Sequence, residues 1–129
     1  MGNPEVKRWD NGQVIIPAGK YSSLKEAVEK EYKNLSKANL SGANLSGADL
    51  SGAKMWGEVI KKQPIQISGL GWWITITEKH IQIGCEVHKA EEWFEFKDSR
   101  IKLMHEDALD WWKKHKKFIK SAWELHRED

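Results

Sequence analysis

Cys85 and His88 are separated by two residues, the spacing of half a tetrahedral zinc site. His80 lies five residues before Cys85, and His105, His115 or His126 is available as a fourth ligand. A zinc held by His80, Cys85 and His88 would tie the middle of the chain to its last helix. The alternative is a buried thiol with histidines that cap helices or fill gaps, and a single close pair favours that alternative. His115 and His126 lie about 16 Å apart by helix rise and cannot share one ion. The expectation is therefore no cofactor, with zinc as the exception to look for.

Cys85 with His88 or His80 is also formally a nucleophile–base pair. Free cysteines, however, are mostly buried. The chain has no Gly-rich phosphate loop, no His-Glu-x-x-His and no Gly-x-Ser-x-Gly. Glu91 and Glu92 are adjacent, so on a helix they diverge by about 100° and do not form an acid–base pair. Binding is favoured over catalysis.

Eight tryptophans stand out in a chain of 129 residues. They are Trp9, Trp56, Trp72, Trp73, Trp93, Trp111, Trp112 and Trp123. Indoles fill thin cores, and they also make flat platforms for ligands or partners. The candidate ligand-binding residues are Trp72, Trp73 and Trp93 for stacking, with His80, His88 and Arg100 for phosphate. Such a set could meet a small anionic nucleotide-type molecule, and exposed indoles could equally anchor a partner protein.

The formal net charge is only +2, which argues against a dedicated DNA binder. Charge is nevertheless segregated. Residues 91–110 hold seven acids and three bases, and residues 113–127 hold six bases and one acid. Acids at the start of a last helix and bases at its end suit the helix dipole. A single cysteine forms no internal disulfide, and a reducing, cytoplasmic setting follows. No stretch is long or apolar enough to span a membrane. The N-terminus fits neither a secretory signal nor a myristoylation pattern.

These side chains need elements to position them. Lys7-Arg8-Trp9 and Val14-Ile15-Ile16 flank Asp10-Asn11-Gly12, a hairpin signal. Ser23 and Glu26 form a Ser-x-x-Glu capping box for a helix over 24–33. Ile65/Ile67, Ile74/Ile76 and Ile81/Ile83 alternate with polar neighbours, which predicts a three-stranded antiparallel meander within 58–88. Helices are expected at 90–96, from Asp98 or Ser99 to Met104, and over about 106–126.

Between the first helix and the meander, Leu or Met recurs at 35, 40, 45, 50 and 55, and Ala at 38, 43, 48 and 53. A period of five is neither helical nor that of a strand and calls for a repeat architecture. The pattern resembles the pentapeptide-repeat family, whose unit is Ala-(Asn/Asp)-Leu-x-x. The resemblance implies inward leucines, stacked alanines and four units per square coil. Five units make about one coil. The long acidic family members that mimic DNA are a poor guide, because this repeat has Asp49 against Lys33, Lys37 and Lys54.

The segments Gly69-Leu70-Gly71-Trp72, His80 to Cys85, Glu91-Glu92-Trp93 and Ala108-Leu109-Asp110-Trp111-Trp112 further resemble small bacteriophage pentapeptide-repeat proteins. That resemblance implies an accessory protein acting in the host bacterial cytoplasm. The expected fold is α+β. An N-terminal hairpin and helix (1–32) would precede a single pentapeptide-repeat β-helix coil (33–57), followed by a meander-plus-helix domain (58–129). Three functions follow as expectations: sequestration of a nucleotide-type signal, inhibition of a host defence protein, or a zinc-dependent hydrolase. One coil leaves two open faces of Leu and Ala to be covered; the helix at 24–33 or the C-terminal domain would cover one and the same coil of a second subunit the other, so a homo-oligomer through the repeat is also expected.

Overall fold

The computed structural model describes residues 2–45 and 47–128. The five-residue period is met by successive tight turns. Ala38, Ala43, Ala48 and Ala53 donate their N–H groups to the carbonyls of Leu35, Leu40, Leu45 and Leu50 at 2.9–3.2 Å. Gly42, Gly47 and Gly52 carry φ of 74° to 80°, the left-handed geometry that such corners demand. After twenty residues the chain returns on itself. Leu35 and Met55 form a parallel bridge, and the Trp56 N–H reaches the Leu35 carbonyl. Each corner therefore aims one apolar side chain inward, and Leu35, Leu40, Leu45, Leu50 and Met55 are all buried. Among the described residues, no strand ladder forms within 35–53, so the expected β-helix coil is seen as four corners and a bridge. A single turn of chain has no second turn to pair with.

The N-terminal segment packs onto one side of this unit. β1 (Val6–Lys7) and β2 (Val14–Ile16) form the expected antiparallel hairpin. Arg8 stays bonded to Gln13 across the hairpin and is also bridged to Ala38, and the Trp9 N–H reaches the Lys37 carbonyl. α1 (Leu24–Lys30) is capped by Ser23, whose hydroxyl accepts from the Glu26 N–H at 3.1 Å. The reciprocal arm of the box goes to Ser22, since the Glu26 carboxylate accepts from the Ser22 N–H. The helix ends sooner than expected, and a 3₁₀ turn, Tyr32–Asn34, leads into the repeat. Ala27 and Val28 of α1 share one core with the repeat leucines.

β3 (Lys54–Met55) and β4 (Glu58–Val59) form a hairpin that closes the unit. A four-stranded antiparallel sheet follows, built of β5 (Ile65–Ile67), β6 (Ile74–Ile76), β7 (His80–Ile83) and β8 (Glu86–Lys89) in that order. The register puts Ile65, Ile67, Ile74, Ile76, Ile81 and Ile83 on one face. That face packs on α2 (Ala90–Glu95), α3 (Asp98–Lys102) and α4 (Ala108–Glu128), forming a second core. The fourth strand was not expected, because only Val87 in it is apolar.

The other face of the sheet lies against the repeat. The Gln82 side-chain carbonyl accepts from the Leu40 N–H, and that of Gln66 accepts from the Leu45 N–H, each at 2.9 Å. The Gln66 amide donates to the Ala43 carbonyl and the Gln63 amide to the Leu45 carbonyl. Amide side chains thus stand in for a missing second coil, satisfying backbone groups that a neighbouring turn of chain would otherwise pair. The sheet thereby covers part of the repeat within the chain.

Candidate functional site

A crevice of about 240 Å³ opens where the repeat, the first hairpin and the sheet meet. Its repeat wall comes from the two ends of the twenty-residue turn. The parallel bridge between Leu35 and Met55 sets residues 36 and 37 beside 56 and 57. Ser36, Lys37 and Trp56 consequently line one space. Lys37 occupies the corner position that Gly42, Gly47 and Gly52 hold in later units, so this corner presents a side chain where the others present none. Trp56 adopts a φ of 57° in the β3–β4 turn, and its indole N–H donates to the Ala38 carbonyl at 2.9 Å. Trp9 closes one end, held by its backbone bond to Lys37.

The sheet wall is His80, Val87, His88 and Lys89, with Glu92 from α2. His80 is fixed from behind. Its Nδ1 lies 2.8 Å from the carboxylate of Glu58, which is 6 % exposed. That carboxylate also accepts from the Thr77 hydroxyl and, at 3.3 Å, from the Lys79 N–H. A carboxylate on Nδ1 holds the ring in one orientation and leaves Nε2 for another partner. His88 is held by Glu86, 2.8 Å from its Nε2. The His88 ring stands edge-on to Trp9, Trp93 and Phe96 at 5.1–5.7 Å. The crevice therefore offers Lys37, Lys89 and two imidazoles, with indoles beside them, against the acid of Glu92.

This chemistry suits a planar anion: ammonium groups and imidazole nitrogens for negative oxygens, indole for a ring. Among the described residues, the Ser36 hydroxyl makes no hydrogen bond to His80. Cys85 lies in the β7–β8 turn and is exposed.

Residues 31–57 match the family model for pentapeptide repeats, eight copies. This part of the chain is a pentapeptide-repeat segment. No curated protein and no solved structure matches the chain.

The pentapeptide-repeat segment thus contributes a wall of the crevice as well as a scaffold. Of the residues singled out from the sequence, His80 and His88 reach it. Trp72, Trp73, Trp93 and Arg100 do not. Trp72 lies edge-on to Trp111 and His105 at 5.2 and 5.3 Å. Trp93 is 2 % exposed and donates to the Ile81 carbonyl, so it is a core residue. Arg100 lies over the Phe96 ring at 5.0 Å and is 3.9 Å from Glu86. Trp73 is not among the residues lining the crevice, and its indole nitrogen has no partner among the described residues.

The zinc set is not brought together either. His80 pairs with Lys89 at one end of the β7–β8 ladder, and Cys85 sits in the turn at the other. His88 pairs with Ile81, one residue along the ladder, so strand alternation starts it from the opposite face to His80. Among the described residues, no group of three or more His, Cys, Asp or Glu side chains is arranged to hold a metal ion.

Cys85 borders a second, smaller cavity of about 120 Å³. Its walls are mainly Trp72, Trp93, Trp111 and Trp112 with Ile83, Ile101 and Met104. Gly84 makes the turn with a φ of 55°, and Trp72 lies over it. The polar crevice and the apolar cavity share no lining residue. Among the described residues, no helix is long and apolar enough to cross a membrane.

Proposed function

We propose that this protein is a non-catalytic binding protein that takes up a small anionic molecule bearing a planar ring, of nucleotide type, in the crevice between its pentapeptide-repeat segment and its sheet. The observation carrying this reading is the convergence of Lys37, His80, His88 and Lys89 with Trp9 and Trp56 on one open space. The reading keeps the ligand class implied by the sequence and moves the site. Stacking falls to the half-buried Trp9 in place of Trp72 and Trp73, with the buried Trp56 as part of the wall. The space, about 240 Å³, is smaller than the roughly 300–1,000 Å³ of sites that enclose a drug-sized ligand. It suits part of a nucleotide, with the remainder in solvent. A role as a bacteriophage accessory protein that sequesters such a signal in the host cytoplasm belongs to this proposal and rests on the sequence resemblance.

The test is calorimetric titration of the full chain with adenosine monophosphate, a cyclic dinucleotide and inorganic phosphate, with tryptophan emission followed in parallel. At least one nucleotide is expected to bind saturably and to quench emission. Lys37→Glu is expected to weaken binding by roughly 10- to 100-fold, the scale of one charge-assisted hydrogen bond. Trp73→Phe is expected to leave it unchanged. Absence of binding by all three probes at about millimolar concentration, the weak end of the affinity scale, overturns the reading. Conversion of the nucleotide during titration overturns its non-catalytic part.

A further inference from the structure

α4 carries more apolar surface than its own core uses. Its buried stripe is Ala108, Trp112, Ile119, Trp123 and His126. A second stripe runs beside it: Trp111, His115, Phe118, Ala122 and Leu125, of which Trp111 and Ala122 also pack on that core and His115, Phe118 and Leu125 extend beyond it. Their steps are four, three, four and three residues, the spacing of a coiled-coil seam. Phe118 is 54 % and Leu125 65 % exposed, and the other three are partly exposed. A helix face that exposes a large aromatic and a leucine at heptad spacing is built to receive another helix.

The flanks of the seam say which helix. On the inner side it borders the buried stripe, so a partner meets no charge there. On the outer side the flanking positions, seven residues apart, are Lys114, Ser121 and Glu128, all exposed. Neither Lys114 nor Glu128 forms an ion pair among the described residues. Two copies of α4 laid antiparallel with Ser121 opposite Ser121 place Lys114 of each against Glu128 of the other. The same register sets Phe118 against Ala122 and Leu125 against His115, large beside small. A parallel arrangement gives Lys114 and Glu128 no opposite charge, because the inner flank is buried.

We propose that this face of α4 pairs antiparallel with α4 of a second copy of this chain across a two-fold axis at Ser121. The surface is independent of the repeat and of the crevice, so ligand binding and pairing are separable. Two heptads make a small interface, and the pair is weak and concentration-dependent.

Sedimentation velocity on the full chain from about 5 to about 200 µM, where small interfaces dissociate, tests this. The mass is expected to rise with concentration from 14.9 kDa toward twice that value. Phe118→Asp, at an exposed position, is expected to remain at 14.9 kDa with an unchanged circular-dichroism spectrum. Lys114→Glu and Glu128→Lys are each expected to weaken association about five-fold, and together to restore it, as for a complementary charge pair. A wild-type chain that stays at the single-copy mass overturns the proposal and leaves the stripe to a different helix. Association that survives Phe118→Asp, or a combined charge variant no better than either single one, overturns it as well.

Discussion

Trp56 stands where the four earlier units of the repeat carry serine, and Lys37 where the four later ones carry glycine. Both breaks lie at the closure of the turn, and both line the crevice. A repeat that departs from its own pattern at its ends was the signal by which these two residues could have been found. Trp56 also ties the closure together, being 6 % exposed and bonded to the Ala38 carbonyl. Trp56→Phe keeps a ring but orphans that carbonyl, and is expected to cost about 1–3 kcal/mol in urea unfolding. A second residue-scale prediction concerns Glu31. Its carboxyl is lowered from 4.5 to about 2, first by the Tyr21 hydroxyl, then by Lys20 and Asn34. Because the folded value is the lower one, the stabilisation is fully present above about 4.5 and is lost as pH falls toward about 2. Tyr21→Phe removes the largest cause. Urea midpoints across that window should therefore fall less steeply in the variant than in the wild type, and parallel slopes would refute the assignment.

At the scale of elements, the glutamines of the sheet replace a second coil. Gln82 is 1 % exposed and is bonded to the Leu40 N–H, the Asn39 side chain and the Gly84 carbonyl. Gln82→Leu keeps much of the volume and strands a buried amide donor. It is expected to destabilise by about 1–3 kcal/mol, measured by chemical denaturation, and more than Gln13→Leu at an exposed position. Leu45→Ala tests the inward row beneath, with about 2–5 kcal/mol expected for emptying a fully packed site. The row itself was legible in the sequence, because a period of five admits few structures and every Leu it marks is buried. The isoleucine face was legible too. What lay against the opposite face was not. Gln66, Thr75 and Gln82 have the pattern of a solvent-facing row, yet Thr75 and Gln82 are buried. An amide that bonds water and an amide that bonds backbone are the same letters. β8 was missed for a related reason, since Glu86, His88 and Lys89 give no alternation of apolar residues. The crevice was half legible, through His80 and His88. Its indoles come from Trp9 and Trp56, 47 positions apart in the sequence and joined only when the repeat closes.

The whole molecule has two apolar cores separated by a polar layer. One holds the repeat leucines with α1, and the other holds the isoleucine face with α2, α3 and α4. Cores joined through polar contacts commonly unfold one at a time, as separate domains do. Here the joint argues otherwise. Leu40 and Leu45 have backbone N–H groups whose partners are Gln82 and Gln66, and the buried Glu58 of the repeat side depends on Thr77 and His80 of the sheet side. Losing the sheet would leave those groups without partners in a unit with one turn of chain and no neighbouring coil. Each unpaired group costs about 1–3 kcal/mol, which for three of them approaches the whole stability of a small domain. The repeat therefore cannot outlast the sheet. Unfolding is expected to be a single transition, with far-ultraviolet circular dichroism and tryptophan emission coinciding, since Trp56 reports the first core and Trp93, Trp112 and Trp123 the second. Combining Gln66→Leu with Gln82→Leu removes the bonds to the Leu40 and Leu45 N–H groups while sparing both apolar faces, and Glu58→Gln added to them weakens the rest of the joint. That variant should split the transition, the repeat side melting first and the helical side keeping most of its midpoint. Two transitions in the wild type would mean that the glutamine layer is a contact between independent units and not the joint that makes them one.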